Sequence, residues 1–174
     1  MQLLLTPEIL KRLRRELRRA GGKEIGGLLM GEHVRDEVFR VVDISVQRAG
    51  GSEACFIRDP ASHKTQLDEF FARTARDYSK FNYLGEWHSH PSFDPVPSST
   101  DVQTMHSLVS DPGVGVNFLV LLVARLSERK QIEATATAFR PAARPMVIPI
   151  ETEIPSQSGK ERKLYRWLRG VFRF

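Results

Sequence analysis

Two imidazoles and a carboxylate stand close together in Glu86-Trp87-His88-Ser89-His90-Pro91 and, after six further residues, Ser98-Ser99-Thr100-Asp101. Written as a pattern, this is H-x-H-P-x6-S-x2-D. A catalytic zinc ion takes three protein ligands and keeps a fourth position open for water, so His88, His90 and Asp101 make up a sufficient N,N,O donor set. The same residues also have plainer readings. Ser98-x-x-Asp101 resembles a helix capping box, although that motif prefers Glu or Gln at its fourth position. A His-x-His pair alone is weak evidence. Together, joined by Pro91 and ten to thirteen residues apart, they point to a site for about one zinc ion per chain.

The surrounding elements must bring these groups to one place. Residues 81–90 are rich in aromatic and apolar side chains and read as a strand. Residues i and i+2 of a strand share a face, so His88 and His90 point the same way. Pro91 cannot donate a ladder hydrogen bond, and the strand ends there. The turn-prone stretch 92–97 reads as a loop. Helical spacing resumes after Ser98 with Val102, Met105, Leu108 and Val109. Asp101 then lies in the first turn of a helix, able to face back toward the strand end.

The run resembles the JAMM motif of the JAMM/MPN zinc metalloproteases, and the match to the motif is complete. A second element of that family, a Glu followed by an apolar, Gly-rich strand, is matched by Glu24-Ile25-Gly26-Gly27-Leu28-Leu29-Met30-Gly31. The resemblance covers roughly residues 6–150. It implies that His88, His90 and Asp101 bind zinc. It implies that Glu24 holds the nucleophilic water as general base and passes the proton to the leaving amine. It implies that Ser98 donates a hydrogen bond to the oxyanion. Capping and catalysis by Ser98 are compatible.

Glu86 competes with Glu24, because it lies two residues before His88 on the same strand face. Many family members carry a bulky apolar residue there, so Glu86 is a departure whose role stays open. Glu24 is preferred, since a base opposite the ligands reaches the water without competing for the metal. Glu32 follows Gly31, where the strand is expected to turn, and reads as surface.

The chain has 174 residues, enough for one domain with an ordinary core. Its hydrophobic content of 41% suits a soluble globular protein, and no apolar run approaches a membrane span. The N-terminal residues lack the basic and long apolar regions of a secretory signal, so a cytoplasmic location is expected. The single cysteine, Cys55, excludes an internal disulfide. It also excludes the H-x-E and C-x-x-C ligand set of the zinc deaminases.

A helix is expected from Thr6-Pro7-Glu8 to Gly21-Gly22, strands over 23–33 and 36–47, a turn over 49–53 and a short strand near 54–58. A helix over 65–80, the His strand and the Ser98 helix follow. Then come a buried central strand over 116–124, another over 131–139, and an edge strand over 146–150, where Pro149 is tolerated. The pattern is α/β: a mixed sheet with helices on both sides. It agrees with the cytidine-deaminase-like fold that the resemblance implies. Residues 1–155 form the catalytic domain and residues 156–174 a basic, aromatic tail.

Charge gathers at the two ends. The first helix carries Lys11, Arg12, Arg14, Arg15, Arg18 and Arg19, and the tail carries Lys160, Arg162, Lys163, Arg166, Arg169 and Arg173. These ends suit nucleic acid, an anionic membrane surface or an acidic protein, or form a solvated helix face and a loose tail. The tail interleaves Leu164, Tyr165, Trp167, Leu168, Val171, Phe172 and Phe174, apolar surface that calls for a docking partner.

The resemblance implies a peptidase or isopeptidase acting after the C-terminus of a ubiquitin-like protein, whose extended tail adds to a sheet edge. Bacterial enzymes of this kind accompany conjugation systems with E1-like and E2-like partners, including antiphage operons, and others process sulfur-carrier proteins. The short connection 110–115 lacks the insertion with which eukaryotic deubiquitinating members hold a distal ubiquitin. A non-proteolytic nucleic-acid-binding module using the basic ends is the alternative from a different class.

Overall fold

Residues 119–124 are all buried, because they lie on an interior strand of a sheet covered on both faces, whereas residues 116–118 of the strand expected over 116–124 precede it and are not buried. The computed structural model describes residues 1–47, 60–153 and 172–173. Its elements are β1 (Gln2–Leu5), α1 (Pro7–Ala20), β2 (Gly26–Arg35), β3 (Val38–Ile44), α2 (Pro60–Arg73), β4 (Phe81–Ser89), α3 (Ser99–Ser110), β5 (Leu119–Leu126), β6 (Ile132–Phe139), β7 (Met146–Ile148), β8 (Ile150–Thr152) and β9 (Phe172–Arg173). The strands form one mixed sheet in the order β7-β6-β5-β4-β2-β3-β1-β8, with β9 added on β6. The pairs β1–β3, β1–β8 and β4–β5 are parallel, and the others are antiparallel.

Strand alternation divides β5 between two cores. Val120, Leu122 and Ala124 join Ile9, Leu13 and Leu17 of α1 on one face. Leu119, Leu121 and Val123 join Met105 and Val109 of α3 on the other. Each fully buried leucine or valine contributes about 1.5–3 kcal/mol, so these two clusters fix both helices against the sheet. The expected mixed sheet with helices on both sides is what the chain forms. Among the described residues, no helix is long and apolar enough to cross a membrane.

Four expectations need correction. β1 is a strand that the short segment before Thr6 did not announce. The helix expected over 65–80 begins at Pro60 and stops at Arg73. Thr74 Oγ donates back to the Phe70 and Phe71 carbonyls, and Ala75 and Arg76 take positive φ of 55° and 56°, turning the chain into β4. Glu32 is not plain surface, because β2 continues to Arg35 and Glu32 forms ion pairs with Arg40 and Lys80. The expected strand 146–150 is two strands meeting at Pro149. β7 pairs with β6 at one end of the sheet, and β8 pairs with β1 at the other. Pro149 has no N–H to place in either ladder, and its carbonyl accepts from Leu3 N at 3.0 Å.

The expected turn over 49–53, the strand near 54–58 with Cys55, and most of the basic tail lie outside the described residues. Of the tail, the backbone of Phe172 and Arg173 pairs with Ala134 and Glu133 of β6.

Candidate metal centre

The end of β4 presents two imidazoles on one face, as the i, i+2 spacing requires. His88 and His90 are buried, with their Nε2 atoms 3.1 Å apart. The backbone of His90 is held by β5, whose Ala124 carbonyl accepts from His90 N at 3.0 Å. The ring is held from its far side, where Nδ1 lies 3.2 Å from the Asp94 carbonyl. A carbonyl only accepts, so Nδ1 carries the hydrogen and Nε2 keeps its lone pair, the tautomer a metal ligand needs.

Asp101 reaches the same point from α3. Ser98 is the N-cap of that helix. Its Oγ accepts from Asp101 N at 3.2 Å, and its own N–H donates to Asp101 Oδ2 at 2.7 Å. The capping box is therefore formed with Asp in the place that Glu or Gln usually takes. The bond aims Oδ2 at the imidazoles, 3.5 Å from His88 Nε2 and 3.7 Å from His90 Nε2. Burial raises the pKa of Asp101, but the His88 imidazole and the Ser98 bonds outweigh it and hold the carboxyl well below the usual carboxylate range.

The triangle fits zinc. A tetrahedral ion with bonds of about 2.0–2.1 Å has ligand–ligand edges of about 3.3–3.4 Å. The observed edges of 3.1, 3.5 and 3.7 Å bracket that length, and two imidazoles with one carboxylate are a donor set zinc accepts. Among the described residues these three are the group able to hold a metal ion.

Glu24 stands opposite, just before β2. Gly26 pairs with His88, and Ile25 is clamped to Ser89: Ser89 N donates to the Ile25 carbonyl at 2.8 Å, and Ile25 N donates to Ser89 Oγ at 3.0 Å. Continuing that register places Glu24 across from His90. Its side chain lines a cavity of about 520 Å³ together with His88, His90, Ser98 and Asp101. Burial raises the Glu24 carboxyl above its ordinary value; His90 and His88 oppose this, and Asp101 adds to it.

The structure thus brings together all five residues singled out from the sequence. Glu86 is also buried, but the Tyr83 hydroxyl donates to it at 3.4 Å and it does not line this cavity. His33 stacks on Phe39, His63 of α2 bonds to Ser45 and Gln47, and His106 packs edge-on against Phe139, and none of the three lines the cavity. Ser89 and the Asp94 carbonyl were missed. The serine between the two histidines was the available signal for the first, and no residue type marks the second, which acts through its backbone.

A protein family described as prokaryotic homologs of the JAB domain matches residues 6–140. A Vibrio cholerae protein named CD-NTase/cGAS isopeptidase is 36% identical over 105 residues, covering 59% of this chain and 62% of its own. The 26S proteasome non-ATPase regulatory subunit 14 of Dictyostelium discoideum is 34% identical over 85 residues, 48% of this chain and 26% of its own length. The match thus spans less than two thirds of either relative. The solution structure of a Desulfitobacterium hafniense protein superposes with a TM-score of 0.67 at 19% identity, over 89% of this chain and 95% of that one, which places the two in one fold. With its family-wide match and its assembled His-His-Asp site, the chain belongs to the prokaryotic branch of the JAB, or JAMM/MPN, family.

Proposed function

We propose that the chain is a zinc-dependent isopeptidase cleaving after the C-terminus of a ubiquitin-like protein in a bacterial conjugation system of antiviral defence. One observation carries the reading: His88 Nε2, His90 Nε2 and Asp101 Oδ2 converge beside a buried Glu24 in a single cavity. The name of the Vibrio relative supports the choice of isopeptidase and of defence. Partners resembling E1 and E2 enzymes and a cytoplasmic site of action follow from that reading.

His88, His90 and Asp101 hold the zinc. When bound, the ion supplies Lewis acidity that polarises the scissile carbonyl and acidifies water. Glu24 accepts the proton of the attacking water and delivers it to the leaving amine. Its raised pKa, set by burial, suits a group that must both take and give a proton. Ser98 Oγ already accepts from Asp101 N, so its O–H hydrogen is left to donate to the substrate oxygen on which charge develops.

Metal analysis of the purified protein, followed by an assay on a ubiquitin-like fusion from the same genome, tests this. About one zinc per chain is expected, with cleavage after the ubiquitin-like C-terminus. His88→Ala is expected to remove metal and activity together, whereas alanine variants of His33, His63 and His106 keep the zinc. Stoichiometric zinc in a His88→Ala/His90→Ala double variant would overturn the assignment.

A further inference from the structure

We infer that Arg125 is a positioning residue for the metal centre, acting through the loop that holds the His90 ring. The inference rests on the metal reading above and extends it to a residue outside the motif.

The His90 ring is oriented by one backbone atom, the carbonyl of Asp94. That carbonyl is only as well placed as its loop, in which Pro95 alone of residues 91–97 is buried. Phe93 and Val96 are 56% and 47% exposed, and the Asp94 side chain is 80% exposed. A cavity of about 440 Å³ adjoins the start of the loop, lined by Pro91, Ser92, Arg125 and Glu133 among others.

Arg125 ties this loop to the sheet. Its Nη1 donates to the Phe93 carbonyl at 2.7 Å and lies 3.2 Å from Asp94 Oδ1. Its Nε donates to Glu133 Oε2 at 2.9 Å. Glu133 is 4% exposed and is the register partner of Arg125 across the β5–β6 ladder, so the guanidinium is anchored on the rigid sheet. The planar fork meets two acceptors in divergent directions, a geometry a lysine cannot supply. β5 therefore grips His90 twice: Ala124 holds its backbone, and Arg125 holds, through Phe93 and Asp94, the carbonyl on its ring. Outer contacts of this kind fix the tautomer and direction of a ligating histidine.

The test is metal affinity in the full chain, by chelator competition for zinc, together with the visible absorption of the cobalt-substituted protein. Arg125→Gln is expected to weaken metal binding by roughly 10–100-fold, the usual effect of removing an outer partner, and to change the cobalt spectrum. If Arg125→Gln does not fold, Arg125→Lys keeps the charge, loses the fork, and is read by the same two measurements. Glu133→Gln keeps an acceptor for Nε and is expected to fall between wild type and Arg125→Gln. A residue that only stabilises the fold would lower the melting temperature of the metal-free protein and leave affinity and cobalt spectrum unchanged. That result overturns the inference while leaving the metal site standing. A wild-type protein that takes up no metal overturns the underlying reading instead.

Discussion

Glu24 and Glu86 are both buried carboxylates near the same two histidines, and geometry separates them. Glu24 faces the cavity that His88, His90 and Asp101 line, whereas Glu86 takes the Tyr83 hydroxyl one strand step earlier. Glu24→Gln is therefore expected to keep fold and zinc while lowering turnover by roughly 10²–10⁴-fold, the usual worth of a general base. Glu86→Gln is expected to change turnover far less. Steady-state kinetics on metal-loaded protein decide, and equal rates for wild type and Glu24→Gln would move the base elsewhere. His88, His90 and Asp101 were legible in the sequence because the type and spacing of their side chains announce a metal donor set, whereas the proposed roles of Glu24 and Ser98 came from the family resemblance. Asp94 was not legible, because only its carbonyl is used. Arg125 is the single charge within the otherwise apolar β5, but nothing local pairs it with a loop more than thirty residues away.

Single elements set the precision of the site. Ser98 caps α3 and aims Asp101, so Ser98→Ala is expected to cost about 1 kcal/mol of stability through the lost cap. A fall in turnover of about 10²–10³-fold through the lost donor should accompany it. Ser98→Thr, which keeps a hydroxyl, is expected to restore most of both. Urea melts and kinetics on the two variants separate the roles, and a stability loss without a rate loss would leave Ser98 as a cap alone. On β4, Gly85 sits at φ 138° beside a register shift, and a Cβ there would lie 2.0 Å from the Val120 carbonyl. Gly85→Ala is expected to destabilise by about 2–4 kcal/mol, combining backbone strain with overpacking. A urea midpoint within error of wild type would refute this. Periodicity revealed α1, β4, α3, β5 and β6 because each carries a long apolar pattern. It missed β1, which has only four residues, and the division of 146–152, because a proline marks a break but not which strands lie on either side of it.

At the scale of the whole molecule, the described strands form one sheet whose two ends are joined by one segment, with β7 and β8 flanking Pro149 and completing opposite edges. Under the proposed function, an extended substrate tail would add to a strand edge close to the site. The connection from α3 to β5 is confined to residues 111–118, too short to fold into an element that clamps a second protein. Under the proposed function, recognition of a whole ubiquitin-like domain would come from elsewhere. The basic, aromatic C-terminal segment is the natural candidate, because the backbone of Phe172 and Arg173 is paired on β6 at Ala134 and Glu133. Removing residues 160–174 is expected to weaken binding of the cognate ubiquitin-like substrate, measured as a rise in KM or Kd. Hydrolysis of a small peptide should be spared, since the Arg125–Glu133 contact lies within the remaining chain. Full-length protein is expected to show little activity on eukaryotic polyubiquitin. Efficient, linkage-selective cleavage of such chains would show that a distal ubiquitin is held without the longer insertion. Unchanged cognate affinity after truncation would move recognition from the tail to the exposed Phe93 and Val96 at the cavity rim.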